Sequence, residues 1–406
     1  MVGGEERNGG WSDIQQELLE EILRKLTLVD YLKCRRVCRS WRRIVDDAVA
    51  TKGTCPPAPQ FPFLMLLPKS LGSATLIDIT QEDTSYTIAP PGTWKHGYID
   101  GVFLVQGCMA FRKFYYHKNQ CYDLVWFSNP VSGEEFELPH LPLFSGQIVT
   151  DVSVKLVFSS TPDSSDFLVV ACARILSYHP NNRRKQQLAF CKVADKSWTI
   201  ILTDEYGPTY FNQFVILDWK LYAMTSRVSD NSVTVFNLRD SNIITSERLV
   251  MLNPNAIPKE SHVEVKDGVQ YYTKSEVCMT RDGDELLLVL HLTEHVMDTS
   301  FWDTLYFRTK GFRIFKLDIC GPRWIEIDDL SDRVLLIDEI GIQVISANEI
   351  SLPIKLSQGN CVFFSSLNIY TRECDLGVFS LKDKSMKPLS LHPSSKNCLW
   401  FIPSLW

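Results

Sequence analysis

The chain has 406 residues, a formal charge of −6, and 45% hydrophobic against 22% charged residues. That length exceeds one small core and calls for a second domain or one large toroidal one, within an ordinary globular composition. The acidic balance speaks against a general nucleic-acid binder, and the longest apolar runs, "FLMLL" at 63–67 and "LLLVLHL" at 286–292, are far short of the roughly 20 residues that span a membrane.

The chain begins "MVGGEERNGGWSD", a polar stretch without the apolar centre of a signal peptide. Twelve cysteines are scattered without a C-x-x-C pair, and no N-x-S/T sequon occurs. Free thiols in a reducing compartment, cytoplasmic and/or nuclear, are the expectation.

Residues 11–51 read as three helices. Ser12 with Gln15, and Thr27 with Asp30, fit capping boxes. Leu18, Leu19, Ile22, Leu23 and Leu26 recur at helical spacing, Leu28, Leu32 and Val37 continue the apolar positions, and Trp41, Ile44, Val45 and Ala48 mark a third helix. The apolar stripe of the first helix is too wide for one short neighbour, so either the rest of the chain or a partner has to cover it. Lys33, Arg35, Arg36, Arg39, Arg42 and Arg43 form a basic cluster, but flanking acids leave the unit nearly neutral, and a solvated face is expected rather than a nucleic-acid contact. Cys34 and Cys38 share a helix face without a second Cys/His pair nearby, so they read as packing thiols and not as metal ligands.

The run "WSDIQQELLEEILRKLTLVDYLKCRRVCRSWRRI" resembles an F-box in its leucine-rich first helix, the "VCRSW" at Val37–Trp41 and their separation. The resemblance implies docking on a Skp1-like adaptor and, through it, a cullin ubiquitin ligase. Carried over by position, the adaptor contacts would be Ile14, Gln15, Leu18, Ile22, Leu32, Val37 and Trp41, with some of these packing inside the three helices instead. Two positions depart from the family: Ile14-Gln15 stands for the usual Leu-Pro, and Thr27 for another proline. Glutamine and threonine can also begin a helix, so the fold is expected to survive, with a weaker contact near Gln15.

Residues 52–60 form a proline-rich linker, and residues 61–406 read as short strands separated by turns. A pattern recurs as "LIDI" (76–79), "FCKV" (190–193), "VFNL" (235–238), "IFKL" (314–317) and "VFSL" (378–381), each followed by a polar turn, with a variant in "VWFSNPVSGEEFELP" (125–139). Trp198 and Trp324 open two of the following strands. More apolar runs, such as "FLVVACA", "ELLLVLHL" and "CVFFSS", precede these hairpins and read as inner blade strands. Six blades of roughly 50–60 residues would consume the body, so an all-β propeller of six to seven blades is expected, with stacked sandwiches second. The body also resembles the KIB-type propeller of plant F-box proteins, through "PFLMLLP" (62–68), "FSNPVSGEEFELP" (127–139), "WKLYAM" (219–224), "GNCVFFSS" (359–366) and "CLWFIPSLW" (398–406). That likeness implies a target-binding platform, closed by pairing of Phe61–Leu67 with the segment at 398–406.

One string invites an enzymatic reading. "HLTEH", His291–His295, satisfies the H-x-x-E-H zinc-peptidase pattern, which requires both histidines on one helix face. Here it ends a strand-like run, so neither a metal nor a cofactor is expected. No catalytic residue is assigned, and the target-binding residues stay unassigned. The alternatives are a metal-dependent propeller enzyme using His291, Glu294 and His295, or a divergent F-box protein acting outside the ligase.

Overall fold

The structure, a computed structural model, describes residues 10–50, 57–58, 60–67, 73–80, 84–88, 101–105, 107–117, 120–143, 152–160, 164, 166–175, 185–205, 210–225, 232–240, 244–249, 251, 263–266, 269–298, 303–350, 359–367, 374–389 and 398–403. Three helices come first: α1 (Gln16–Leu23), α2 (Leu28–Lys33) and α3 (Arg39–Ala50), with 3-10 turns at Trp11–Asp13 and Cys34–Arg36. Leu19, Leu23, Leu28, Tyr31, Trp41, Ile44, Val45 and Ala48 form their shared core. The expected cap at Thr27 is made, its Oγ1 accepting the Asp30 N–H at 3.4 Å. The cap expected from Ser12 is not made. Ile14 is extended and packs on the core, so α1 begins only at Gln16, with Gln15 at its N-cap and no side-chain cap.

Six sheets follow, one for each expected blade. In spatial order the first holds Cys398–Phe401, Phe63–Leu66, Ala74–Ile77 and Ser85–Ile88. The second holds Gly101–Val105, Cys108–His117, Gln120–Ser128 and Glu135–Glu137, the third Val152–Phe158, Leu168–Ile175, Lys185–Lys192 and Thr199–Glu205. The fourth runs Phe211–Leu217, Lys220–Thr225, Val233–Asn237 and Thr245–Leu249. The fifth has five strands, Val263–Lys266, Val269–Asp282, Glu285–Asp298, Asp303–Asp318 and Arg323–Ile327. The sixth also has five: Ile342–Ser346, Arg333–Ile337, Cys361–Leu367, Cys374–Ser380 and Met386–Pro388, with the second and third parallel.

Six apolar clusters fill the junctions between successive blades, the last joining the sixth blade to the first. Closure occurs where expected: Phe63, Leu64, Met65 and Leu66 pair with Phe401, Trp400, Leu399 and Cys398. Pairing the two ends of the propeller removes the free edge that an open ring would leave.

The runs "FLVVACA", "ELLLVLHL" and "CVFFSS" line the packed junctions between blades as expected, but they are not the innermost strands. Leu168–Ile175 lies one place out, and its alternation explains why: Val169, Ala171 and Ala173 face the second blade, Leu168, Val170 and Cys172 the fourth. Glu285–Asp298 behaves alike, Leu286, Leu288 and Leu290 facing the fourth blade, Leu287 and Val289 the sixth. A strand covered on both faces must be apolar at every position. Strands nearest the axis, 152–158, 211–217, 269–282 and 342–346, neighbour one another and carry polar side chains such as Lys155, Gln213, Glu276 and Gln343. The recurring pattern marks the next strand outward. Leu238, Leu317 and Leu381 are buried there, while Ile79 is half-buried and Val193 exposed. Of the polar stretch "NNRRKQQ" (181–187), residues from Lys185 on are strand, with Gln186 and Gln187 buried; residues 181–184 lie outside the described residues.

Candidate adaptor-docking surface

One side of the helical unit is held by the propeller. Val29 of α2 packs on the cluster of Phe63, Met65, Phe111 and Trp126 between the first two blades, and Val131, in an outer turn of the second blade, packs on the helical core. Two hydrogen bonds tie the linker to α2 and the turn before it: Leu28 N–H donates to Gln60 Oε1 at 3.0 Å, and Ala58 N–H to Leu26 O at 2.8 Å. The Lys33 ammonium stands 5.9 Å from the centre of the Tyr86 ring. The propeller therefore covers part of the apolar surface of α2.

The outward side keeps apolar groups in solvent. Leu19 and Leu23 of α1 point into the core, while Leu18 is 51% exposed, Gln15 is exposed and Ile22 half-buried. Positions 15, 18 and 22 share a helix face by their spacing of three and four. Val37, in the turn before α3, is 56% exposed, and Ile14 and Leu32 are half-buried against the core. Trp41 is different: at 8% exposure it belongs to the core. Its indole N–H donates to Trp11 O at 2.8 Å, and the two rings meet edge to face at 6.5 Å. Trp41 thus positions Trp11, which is 72% exposed and is the apolar group that sequence reasoning missed. Its signal was present, an isolated aromatic at the end of a polar leader. Ser40 Oγ donates to Ser12 O at 2.9 Å and fixes the same turn.

Two members of the basic cluster, Lys33 and Arg35, form ion pairs within the unit. Arg35 meets Asp46 at 2.7 Å and Lys33 meets Asp30 at 2.8 Å, and the Lys33 hydrogen bond holds the Asp30 carboxyl below its usual range. Both pairs are exposed and contribute little to stability. Cys34 is buried, and desolvation pushes its thiol pKa up, as suits a packing residue. Among the described residues no group of three or more His, Cys, Asp or Glu is arranged to hold a metal ion, and no helix is long and apolar enough to cross a membrane.

The H-x-x-E-H string lies wholly in the strand Glu285–Asp298. Strand geometry puts His291 and His295 on one face, roughly 13 Å apart at 3.3 Å per residue, and Glu294 on the other. Glu294 pairs with Arg308 at 2.7 Å and Lys310 at 2.8 Å. His291 Nε2 is bonded to Thr309 Oγ1 at 2.9 Å, and His295 Nε2 to Thr293 Oγ1 at 2.9 Å. Two histidines that far apart cannot share one zinc ion, so the zinc-peptidase reading has no geometric basis here.

A three-helix unit with an open apolar side, carried on a six-bladed ring, defines an F-box protein with a propeller body. Residues 11–49 match the F-box domain and residues 78–380 the KIB1-4 beta-propeller, and the chain belongs to the KIB1-4 beta-propeller family. The F-box protein At2g05970 of Arabidopsis thaliana is 20% identical over 98% of this chain and 97% of its own length. Among solved structures, YjhT is similar over 71% of this chain and 98% of its own, at 10% identity and a TM-score of 0.30. A post-proline cleaving enzyme from Rickettsia typhi is similar over 97% of this chain and 60% of its own, at 9% identity and a TM-score of 0.31. At these values neither structure bears on function.

Proposed function

We propose that the chain is the substrate-recognition subunit of an SCF-type (Skp1-cullin-F-box) E3 ubiquitin ligase. Its helical unit would dock on a Skp1-like adaptor and thereby on a cullin, and its propeller would bind the protein to be ubiquitinated, in the cytoplasm or the nucleus. In this role the chain makes and breaks no bond. It raises the effective concentration of target lysines near the ligase by tethering, a gain set by geometry and linkage.

The observation that carries the reading is the division of the helical unit's apolar surface. The α2 side is packed against the propeller through Val29, whereas Trp11, Leu18 and Val37 face solvent. Large apolar groups held in water by a small rigid unit suit a protein partner. Capture of a purified Skp1-type adaptor by the full chain tests this, alongside Leu18→Glu and Val37→Glu variants. Both positions are exposed, so the variants should fold and melt like the parent while losing at least tenfold in capture. A well-folded parent that captures no adaptor would sink the proposal.

A further inference from the structure

Between the fifth and sixth blades, beside the apolar cluster that joins them, lies a cleft of about 360 Å³. Its wall is one face of the strand Glu285–Asp298, where Val289, His291, Thr293 and His295 succeed one another at alternate positions. The axis strand supplies Lys274 and Glu276, and the bend after Arg333–Ile337 supplies Asp338 and Glu339. Phe307 and Phe364 add aromatic surface. The volume lies toward the small end of ligand pockets, with room for an extended side chain or a small molecule.

The charges in this cleft do not balance. The Lys274 ammonium is already held by Glu276 at 2.7 Å. His291 stacks on Phe312 with ring centres 4.7 Å apart, and burial pushes its pKa down to about 4. His295 lies between Tyr272 and Phe307, at 4.9 and 5.5 Å, and burial lowers its pKa as well. Neither imidazole therefore supplies positive charge at neutral pH. Asp338 accepts backbone N–H bonds from Ile340 at 2.9 Å, Gly341 at 3.1 Å and Trp400 at 2.9 Å, and Glu339 accepts the Leu367 N–H at 3.2 Å. Among the described residues no side-chain cation forms an ion pair with either carboxylate. Burial raises the pKa of both, Asp338 to about 6. Asp338 is half-buried and Glu339 is exposed where it lines the cleft, so the cleft presents two acceptors with no side-chain cation set against them, an arrangement that suits a cationic ligand.

We propose that this cleft binds a guanidinium group, with Asp338 and Glu339 as its acceptors and the aromatic side chains as a stacking surface. A guanidinium matches the place better than an ammonium, because it is planar, stacks on aromatic faces and meets carboxylates through a fork of donors. Two sources carry this chemistry: an arginine side chain of a bound protein, or a free guanidine compound. The arginine source rests on the receptor reading above, since it states what the propeller would recognise in a target.

Calorimetric titration of the full chain tests the site with four probes: acetyl-Gly-Arg-Gly-amide, its citrulline counterpart, its lysine counterpart, and agmatine. The arginine peptide should bind at least tenfold more tightly than the citrulline peptide, a neutral isostere, and more tightly than the lysine peptide. Glu339→Gln keeps an acceptor for Leu367 N–H and should weaken the arginine peptide at least tenfold without lowering the melting temperature; Asp338→Asn is the second variant. Agmatine binding as tightly as the peptide assigns the free source, and tighter peptide binding assigns the side chain; either upholds the guanidinium site. Equal binding of citrulline or lysine peptide, absence of binding by all four, or unchanged affinity in folded Glu339→Gln protein overturns it. Adaptor capture is measured on the same preparations. Capture without peptide binding fails the cleft alone, and peptide binding without capture fails the ligase reading alone.

Discussion

In the helical unit three apolar side chains, Trp11, Leu18 and Val37, stand outside the core, whereas at the junction of the fifth and sixth blades two histidines and three carboxylates line a cleft. Each region places groups where folding alone would not put them. The supporting structure differs in kind. Trp11 is held by a single hydrogen bond and one ring contact from Trp41, on a unit of three short helices. Asp338 is held by three backbone donors from two blades, one of them on the strand that closes the ring. The first surface is therefore sensitive to the small helical core, and the second to the integrity of the whole propeller.

The largest expected effect separates the two. Trp400 is fully buried, its indole N–H donates to Ile337 O at 3.1 Å, and its backbone N–H serves Asp338. Trp400→Ala should cost about 3–5 kcal/mol of propeller stability in urea denaturation. It should also abolish peptide binding in the cleft while leaving adaptor capture in place. Loss of both activities together would show that the helical unit does not hold its shape without the ring.

A second effect comes from pH. Buried His291 has a folded pKa of about 4 against an ordinary 6.5, so the unfolded chain takes up its proton first. Stability from this group is full above pH 6.5 and falls by about 3 kcal/mol as the pH drops to 4. Asp338 runs the other way: its folded pKa is about 6 against 3.8, so its burial cost is absent at low pH and grows, also to about 3 kcal/mol, as pH rises through 6. The two slopes offset within one window. Urea midpoints of His291→Gln between pH 4 and 7 should therefore gain on the parent as pH falls, and those of Asp338→Asn should lose ground. Parallel curves for parent and variants would refute the assignment of burial as the cause.

Smaller effects belong to the helical unit. Leu18→Glu should reduce adaptor capture at least tenfold with an unchanged melting temperature, because the side chain it replaces lies half in solvent. Thr27→Ala removes the hydroxyl that accepts the Asp30 N–H and should cost about 1 kcal/mol, read from the melting temperature of the full chain. A larger loss would mean that α2 and its contact with the propeller are coupled more tightly than their bonds suggest.

Much of the architecture was legible because it rests on periodicity. The helix pattern of Trp41, Ile44, Val45 and Ala48 and the repeated strand "VFNL", "IFKL", "VFSL" each record a burial demand that recurs at fixed spacing. Ring closure was legible through the likeness to the KIB-type propeller, which implied the pairing of Phe61–Leu67 with the segment at 398–406. The place of the apolar strands was not legible. A run such as "FLVVACA" reports that both faces are covered, and gives no distance from the axis. The start of α1 was missed because Ser12 fits a cap by residue type, and only the packing of Ile14 decides where the helix begins. The cleft was hidden for a related reason. Asp338 and Glu339 share a cleft with His291 across two blades, and no local pattern brings together residues some fifty positions apart.

Ring closure also has a consequence in time. Phe63–Leu66 pairs with Cys398–Phe401, and 398 − 66 = 332 positions separate the near ends of the two strands. At roughly 5–20 residues per second, a ribosome takes roughly 15–70 s to make the second strand after the first. Throughout that interval the helical unit is complete and the edge of its neighbouring blade is unpaired. A chain interrupted before residue 398 would carry a finished helical module on an unclosed ring and, in the role proposed above, would occupy adaptor without offering a formed propeller. Newly made chains of this protein thus pass through a stage in which shielding of one strand edge decides between closure and aggregation.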